Sequence, residues 1–562
     1  WNNASGDGSW SNTPNWSLGE LPGTTDYASF CPSVAWDTLV IDVVGGVTIG
    51  AFIATNNALR VTGEKLTIRG GARGKIASWG NTGYCDTDDT WGWYSSVPVV
   101  VDVTVEFRPK YCTTIQIVDG TTFRCVHFMK PVIWDGDNNN AYRFVALVPS
   151  RNSYGDIYFH STFTADGEIN LQGNGNGTVY CYGKVTATAL KRVEWNTGYI
   201  MLFGPDNEIG NLFLAYSGMI IPAVENAVPE TAYLAMPGGS AYASGDAENE
   251  GDRFNMNNYN QTLNCLTRNN SKIDVTYKGN IWSRDADVAV YGENVYCAPT
   301  MLTLKGTTNG VSVCSIWDRV SVTWDPSDDF IEALTNCTSH TSGDIIVKRG
   351  TFHVGGNATF KTLHAIDVAA GAKFELATSA ADSFSGLDRV MVGTSGRFVI
   401  SPVAVTPFSG GYSVFELTAG AKIETAVAVT IGAVEYDGEF VADGTYTSDG
   451  ANGTTAAAWV DGAGSVNVAS SNIAIWKAAA SGIWSDSANW VDGRVPTSSM
   501  KKALIDRAGG NYTVTINADA MLPKRVEIRN AGEGVAELMV ATNATRADGF
   551  LSIENGAKVS VP

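Results

Sequence analysis

Between residues 345 and 425 apolar and polar positions alternate in short runs, and successive runs are separated by a turn that carries a glycine. IIVKRGTFHV (345–354), IDVAAGAKFEL (366–376), VMVGTSGRFVI (390–400) and FELTAGAKIET (415–425) share this layout, with the turns at Gly350, Gly371, Gly396 and Gly420. The second run of each unit is led by Phe352, Phe374, Phe398 and Ile423. Weaker echoes occur at Gly120, Gly167, Gly279 and Gly306, and again in LSIENGAKVSV (551–561). Alternation with a period of two makes each run a half-buried strand. Glycine suits a corner where the chain changes direction. A unit of 21 to 25 residues, the spacing of these glycines, cannot bury its own apolar face, so units must stack into parallel ladders around one core. The pattern therefore predicts an all-β chain wound as a parallel β-helix. A string of antiparallel sandwiches is the rival, disfavoured by irregular spacing and by few two-residue Asn-Gly or Asp-Gly turns. One short helix is expected over SDDFIEALTNC (327–337), with Ser327 as its cap and acidic residues in its first turn.

A second, longer repeat relates the two ends of the chain. Trp1, Trp10, Asn15, Trp16, Gly19 and Pro22 recur as Trp476, Trp484, Asn489, Trp490, Gly493 and Pro496, a period of about 475 residues. A closing sequence lies between the copies at 434–468. The chain thus divides into a module at 1–470, with polar loops projecting over about 195–300, and the start of a second, truncated module at 472–562. Bulky aromatics at a module start suit a cap over the unpaired edge of the first coil.

These residues resemble autotransporter-like secreted bacterial surface proteins that carry a parallel β-helix passenger. The Trp-rich opening looks like theirs, as does the closing set Asp437, Gly438, Gly444, Thr445, Tyr446, Trp459, Gly462, Gly464, Val466 and Val468. The resemblance covers the ends of the first module and the start of the second; residues 85–340 match no known pattern. It implies export to the extracellular space or cell surface, a right-handed helix, and a role in adhesion or as a scaffold. Relatives of this kind include enzymes, so fold alone does not decide activity.

Composition narrows the partners. The 562 residues carry a formal charge of −19, which repels a phosphate backbone and excludes nucleic acid as a natural partner. Sixty glycines and only 17% charged residues fit many turns and few solvated helices. No apolar run is long enough to span a bilayer as a helix. The absence of an initial Met fits a chain whose leader was removed. Nine cysteines lie between Cys31 and Cys337 without a CxxC pair, and five histidines are scattered, so a zinc site is not expected. Cys85, Cys112 and Cys125, and Cys297 with Cys314, are near enough in sequence for disulfides; small buried side chains are the equal alternative.

Two clusters concentrate polar and aromatic chemistry. In YCDTDDTWGWY (84–94) and IWDGDNNN (133–140), Trp91, Trp93, Tyr94 and Trp134 are candidates for stacking on sugar rings. Asp135 and Asp137, with Asp86, Asp88 and Asp89, are candidates for acid–base work or metal ligation. Glycoside hydrolysis needs one carboxyl that donates a proton and one that stays ionised. The alternating oxygen ligands of residues 135–140 would suit Ca²⁺ but lack the terminal bidentate Glu of a full calcium loop. No cofactor is otherwise implied. The leading expectation is a non-enzymatic surface or structural protein whose partners are copies of itself end to end or surface glycans. The alternative is a glycan-active enzyme, a polysaccharide lyase or glycoside hydrolase, or a carbohydrate-binding protein.

Overall fold

The computed structural model describes residues 1–69, 91–108, 113–117, 124–136, 144–148, 155–171, 177–192, 199–213, 219–235, 252–256, 259–264, 279–282, 300–307 and, with short breaks, 310–561. Among them regular structure consists of β-strands and three-residue 3₁₀ turns, with almost all strand pairing parallel. Two compact units divide at Gly343/Asp344. The expected joint at 470–472 lies inside the second unit.

In the first unit, three sheets take strands in rotation. The first sheet begins Tyr27–Phe30, Ala51–Ala54, Trp91–Ser95; the second begins Asp37–Ile41, Leu59–Gly63, Val99–Val101; the third begins Val47–Ile49, Leu66–Ile68, Val105–Phe107. As far as Tyr199–Leu202 each strand pairs with strands three places away along the chain, as in Leu39↔Val61 and Leu66↔Val105. Burial alternates along the strands, as in Gly155–Phe159 and Thr300–Leu304. This period sorts apolar residues inward and polar ones outward. Inside, like residues stack: the rings of Phe30 and Phe52 are 4.4 Å apart and those of Phe52 and Trp93 are 3.9 Å apart.

Corners hold the sheets close, and Gly63 shows why glycine is needed there. Its φ is +99°, and a Cβ would be driven into the backbone of Ile41 in the neighbouring strand. Gly63→Ala should lower stability by about 2–3 kcal/mol through left-handed strain plus that clash, read as a reduced midpoint in urea unfolding. A loss under about 0.5 kcal/mol would refute the close approach.

The short repeat stacks in the register its alignment suggests. Phe352 faces Phe374, Phe374 faces Phe398, and Phe398 faces Ile423. Gly350, Gly371 and Gly420 adopt left-handed φ values of 64°, 72° and 83°. In the third unit the left-handed residue is Ser395, one place before the expected Gly396. Gly396 is instead confined, because the carbonyls of Gly393 and Ala369 would meet its Cβ.

The helix expected at 327–337 is absent. Ile331–Thr335 is a strand paired with Gly310–Ser312, and Leu334 is buried. The Asp328 side chain and carbonyl accept the N–H groups of Asp329 and Phe330 in a tight bend, while the Ser327 N–H donates to the Gly306 carbonyl. A neighbouring strand satisfies backbone groups that an isolated segment would satisfy as a helix, so the tertiary ladder overrides local capping and propensity. Of the expected projecting region at 195–300, Tyr199–Leu202, Met219–Pro222, Asp252–Asn255 and Gly279–Trp282 join the second sheet; residues 236–250, 265–278 and 283–299 lie outside the described residues.

The Trp motif has one geometry in both copies. Trp16 donates its indole N–H to the Trp10 carbonyl at 2.9 Å, and Trp490 to the Trp484 carbonyl at 2.7 Å. Asn15 donates to Ser9 and Asn489 to Ile483, both at 3.0 Å. Trp10 and Trp16 pack edge-on at 4.9 Å and both lie against Phe30. In the second unit the ladder of strands 344–436 ends in antiparallel pieces: Glu439–Phe440 folds against Ala433–Tyr436, and Gly444–Thr447 against Ser465–Val468. Reversed strands remove the free parallel edge there.

Candidate functional site

Two of the residues singled out for stacking, Trp93 and Trp134, lie inside the stack of strands. Trp93 and Trp134 are fully buried, so their ring faces are covered by protein and unavailable to a sugar. The reason is strand phase: Trp93 sits in register with Phe52, and Trp134 with Phe107 and Ala165, all on the inward face. Gly136 lies so close to the Trp134 indole that any side chain there would strike the ring. Trp91 belongs to the strand Trp91–Ser95, and Tyr94, half-buried, lies between Ile53 and Gln116 in the register. Asp135 is exposed, its N–H bonded to the Phe107 carbonyl. Asp137, Asp86, Asp88 and Asp89, like Cys85, Cys112 and Cys297, lie outside the described residues. Cys125 is a free thiol.

Among the described residues, an outward aromatic surface is formed by residues not singled out above. On the outer face of the second sheet, His127, Tyr158 and Tyr180 stack in one column, with centroids 4.3 and 4.6 Å apart and planes within 11°. Beside it His160, Tyr182 and Phe203 stack at 5.2 and 4.7 Å. The columns are joined by a 2.9 Å bond between His127 Nδ1 and His160 Nε2, and His127 Nε2 meets the Cys125 thiol at 3.2 Å. Burial, and His160 beside it, hold the His127 ring below the ordinary histidine range; burial does the same to His160. Burial, reinforced by Asp156, pushes the Cys125 thiol up, so it is a protonated thiol and a poor nucleophile. The middle rings, Tyr158 and Tyr182, have both faces covered by the rings above and below them. Ring stacking of this kind adds stability along the ladder. The signal was available: aromatic residues recur at the outward phase in HF (127–128), IYFH (157–160) and VYCY (179–182).

In the second unit the outward column Asp367, Met391, Glu416 and Glu435, one residue per rung, lines a groove of about 390 Å³ with Asp437 and Gly438 at its end. Burial pushes the Asp367 carboxyl above the usual carboxylate range, and burial does the same to Glu435 against the pull of Arg507, 3.7 Å away. Glu416 is ion-paired with Arg529. At a rung spacing of about 4.8 Å, Glu416 and Glu435 stand one rung apart and Asp367 and Glu416 two. Those separations bracket what paired carboxylates need for glycoside hydrolysis.

The Arg529–Glu416 pair belongs to a larger buried seam. Strands Ile473–Ile475, Lys502–Asp506, Arg525–Arg529 and Phe550–Ile553 form a separate sheet whose outer face lies on that of strands 344–436. Lys502 Nζ is 2.5 Å from Glu527 and 3.8 Å from Asp388; Arg389 is 3.1 Å from Glu527 and 2.7 Å from Glu554; Arg525 pairs with Asp388. His364 bonds Asp344 through Nδ1 at 2.9 Å and faces Glu554 through Nε2 at 3.2 Å. An apolar strip of Tyr412, Val414, Ala433, Ile473, Ile475 and Leu504 continues the contact. Later strands of the 473–560 segment meet earlier strands of the 344–436 segment, so the chain turns back at Ser470–Asn472 and the two stacks run in opposite senses.

Among the described residues no three His, Cys, Asp or Glu side chains converge as a metal site, and no helix is long and apolar enough to cross a membrane. No known protein family, curated protein or solved structure matches the chain.

Proposed function

We propose that the chain winds as a right-handed parallel β-helix and serves as an extracellular bacterial surface or structural protein, an adhesion or assembly scaffold without catalysis. The observation that carries this reading is the rotation of parallel strands through three sheets in the first unit, with the Trp motif at its first rung. Such a stack is extended by adding rungs and holds side chains in fixed rows on its outer faces. Those rows are occupied by self-satisfied networks: the stacked aromatic columns, the ionic seam, and on another face Arg397 paired with Glu424 and Asp461 at 2.6 and 3.1 Å. Side chains already paired with one another suit a scaffold better than a reaction centre. The Trp-rich module start remains the ground for proposing autotransporter-like kinship and export.

One observation favours the alternative of a glycan-active enzyme: the groove of Asp367, Glu416 and Glu435, with carboxyls held above their usual range beside one that is paired with Arg529. Both readings are tested together. The purified chain should bind bacterial or host cell surfaces when displayed on beads, and should release neither reducing ends nor unsaturated products from a panel of neutral and acidic polysaccharides. Product formation that is lost in Asp367→Asn, a variant that keeps the groove's shape, would overturn the scaffold reading.

A further inference from the structure

The seam between strands 344–436 and the segment 473–560 differs from the strand ladders of the second unit. Among the described residues no strand of one segment pairs with a strand of the other; apart from the apolar strip, the seam is made by charged side chains. The 344–436 side contributes Asp344, His364, Asp388, Arg389, Glu416 and Glu435, and the other side Lys502, Asp506, Arg507, Arg525, Glu527, Arg529 and Glu554. With His364 charged, that is six cations and seven carboxylates. The odd carboxylate is at Arg529, whose one guanidinium meets both Glu416 and Asp506. His364 must carry two ring protons to donate to both Asp344 and Glu554, so it is held as the cation.

We propose that this seam is a reversible latch, closed in mild acid and at neutral pH and opened by alkali, which releases the 473–560 segment from the outer face of strands 344–436 while the strands on both sides stay folded. Polar interfaces within a chain separate at lower cost than cores, and the backbone ladders on either side are complete without the seam.

His364, bonded to a carboxylate on each side of the seam, sets the alkaline opening, and Asp506 has given up most of its contribution by neutral pH. Asp506 is faced by Arg529 and Glu527 on the adjoining strand, by Tyr512, and by Glu416 across the seam; burial raises its carboxyl from 3.8 to about 7 despite Arg529. Its contribution is whole below pH about 4 and is lost as pH rises through about 7. His364 is faced by Asp344, Asp388 and Glu554; although burial alone would lower it, its bonds to Asp344 and Glu554 raise it from 6.5 to about 10. Its contribution is whole below about 6.5 and lost through about 10. Glu554 is held well below its usual range by His364 and Arg389 against its burial, so its contribution fades only in acid.

Hydroxyl-radical footprinting of the full chain tests the latch. Tyr412 and Leu504, 9% and 1% exposed in the seam, should gain oxidation at least five-fold between pH 6 and pH 9.5, normalised to exposed Tyr259, and lose it again on return to pH 6. Phe374 and Phe398, in the core of the stack, should stay protected throughout. Asp506→Asn, which removes the odd carboxylate without changing volume, should move the midpoint upward by half a pH unit or more. Tyr412 remaining protected to pH 10, simultaneous loss of protection at Phe374, or a midpoint indifferent to Asp506→Asn would each overturn the proposal.

Discussion

Lys502→Met will cost the second unit about 3–5 kcal/mol, the usual loss when one partner is removed from a buried ion pair. Lys502 is fully buried, and its ammonium lies 2.5 Å from Glu527 while also bonding the Asp388 carbonyl at 3.3 Å. Methionine fills nearly the same volume, so the loss is charge rather than packing. Glu527 keeps Arg389 at 3.1 Å, but the cation that most strongly holds its carboxyl below the usual range is gone. Adding Glu527→Gln should recover part of the loss, because neither buried charge is then left without its counterpart. Urea unfolding of the three variants gives the coupling directly. A Lys502→Met loss below 1 kcal/mol would mean that water reaches the seam and screens it.

Trp490→Ala is expected to be as severe, about 3–5 kcal/mol. The ring is 1% exposed, packs edge-on against Trp476 and Trp484 at 5.0 and 5.1 Å, and satisfies its N–H on the Trp484 carbonyl. Removing it opens a cavity beneath the first strands of the 473–560 segment, including Tyr512 and Val514 in the same core. Trp490→Phe retains much of the ring area but leaves that carbonyl without its donor, so its loss should be nearer 1–3 kcal/mol. Denaturant midpoints order the two variants. Equal losses would show that the hydrogen bond, not the volume, is what the motif supplies.

Much of the fold was legible because a stacked ladder writes itself into local periodicity. The alternation in 345–425 specified strands, and the aligned phenylalanines specified their register, since a one-residue slip would turn every apolar side chain outward. The recurrence of Trp10, Asn15 and Trp16 as Trp484, Asn489 and Trp490 marked two copies of one local geometry, whose hydrogen bonds span only six residues. The site was far less legible. Trp93 and Trp134 were singled out for their chemistry, but the phase of their strands points them inward. The stretch at 327–337 carried real helix signals that lost to a neighbouring strand supplying the same hydrogen bonds.

Taken alone, the amino-acid sequence determined that this chain is built of β-strands, that they stack in parallel, and where the capping motif begins, because each of these depends on neighbours within a few tens of residues. Only the tertiary structure decided that the 473–560 segment turns back along strands 344–436, and that Arg389 meets Glu527 and His364 meets Glu554 across 138 and 190 residues. An outward-facing charge looks the same in sequence whether it meets water or another sheet. Which of the two it meets is set by how the chain folds back on itself, and periodicity does not record that.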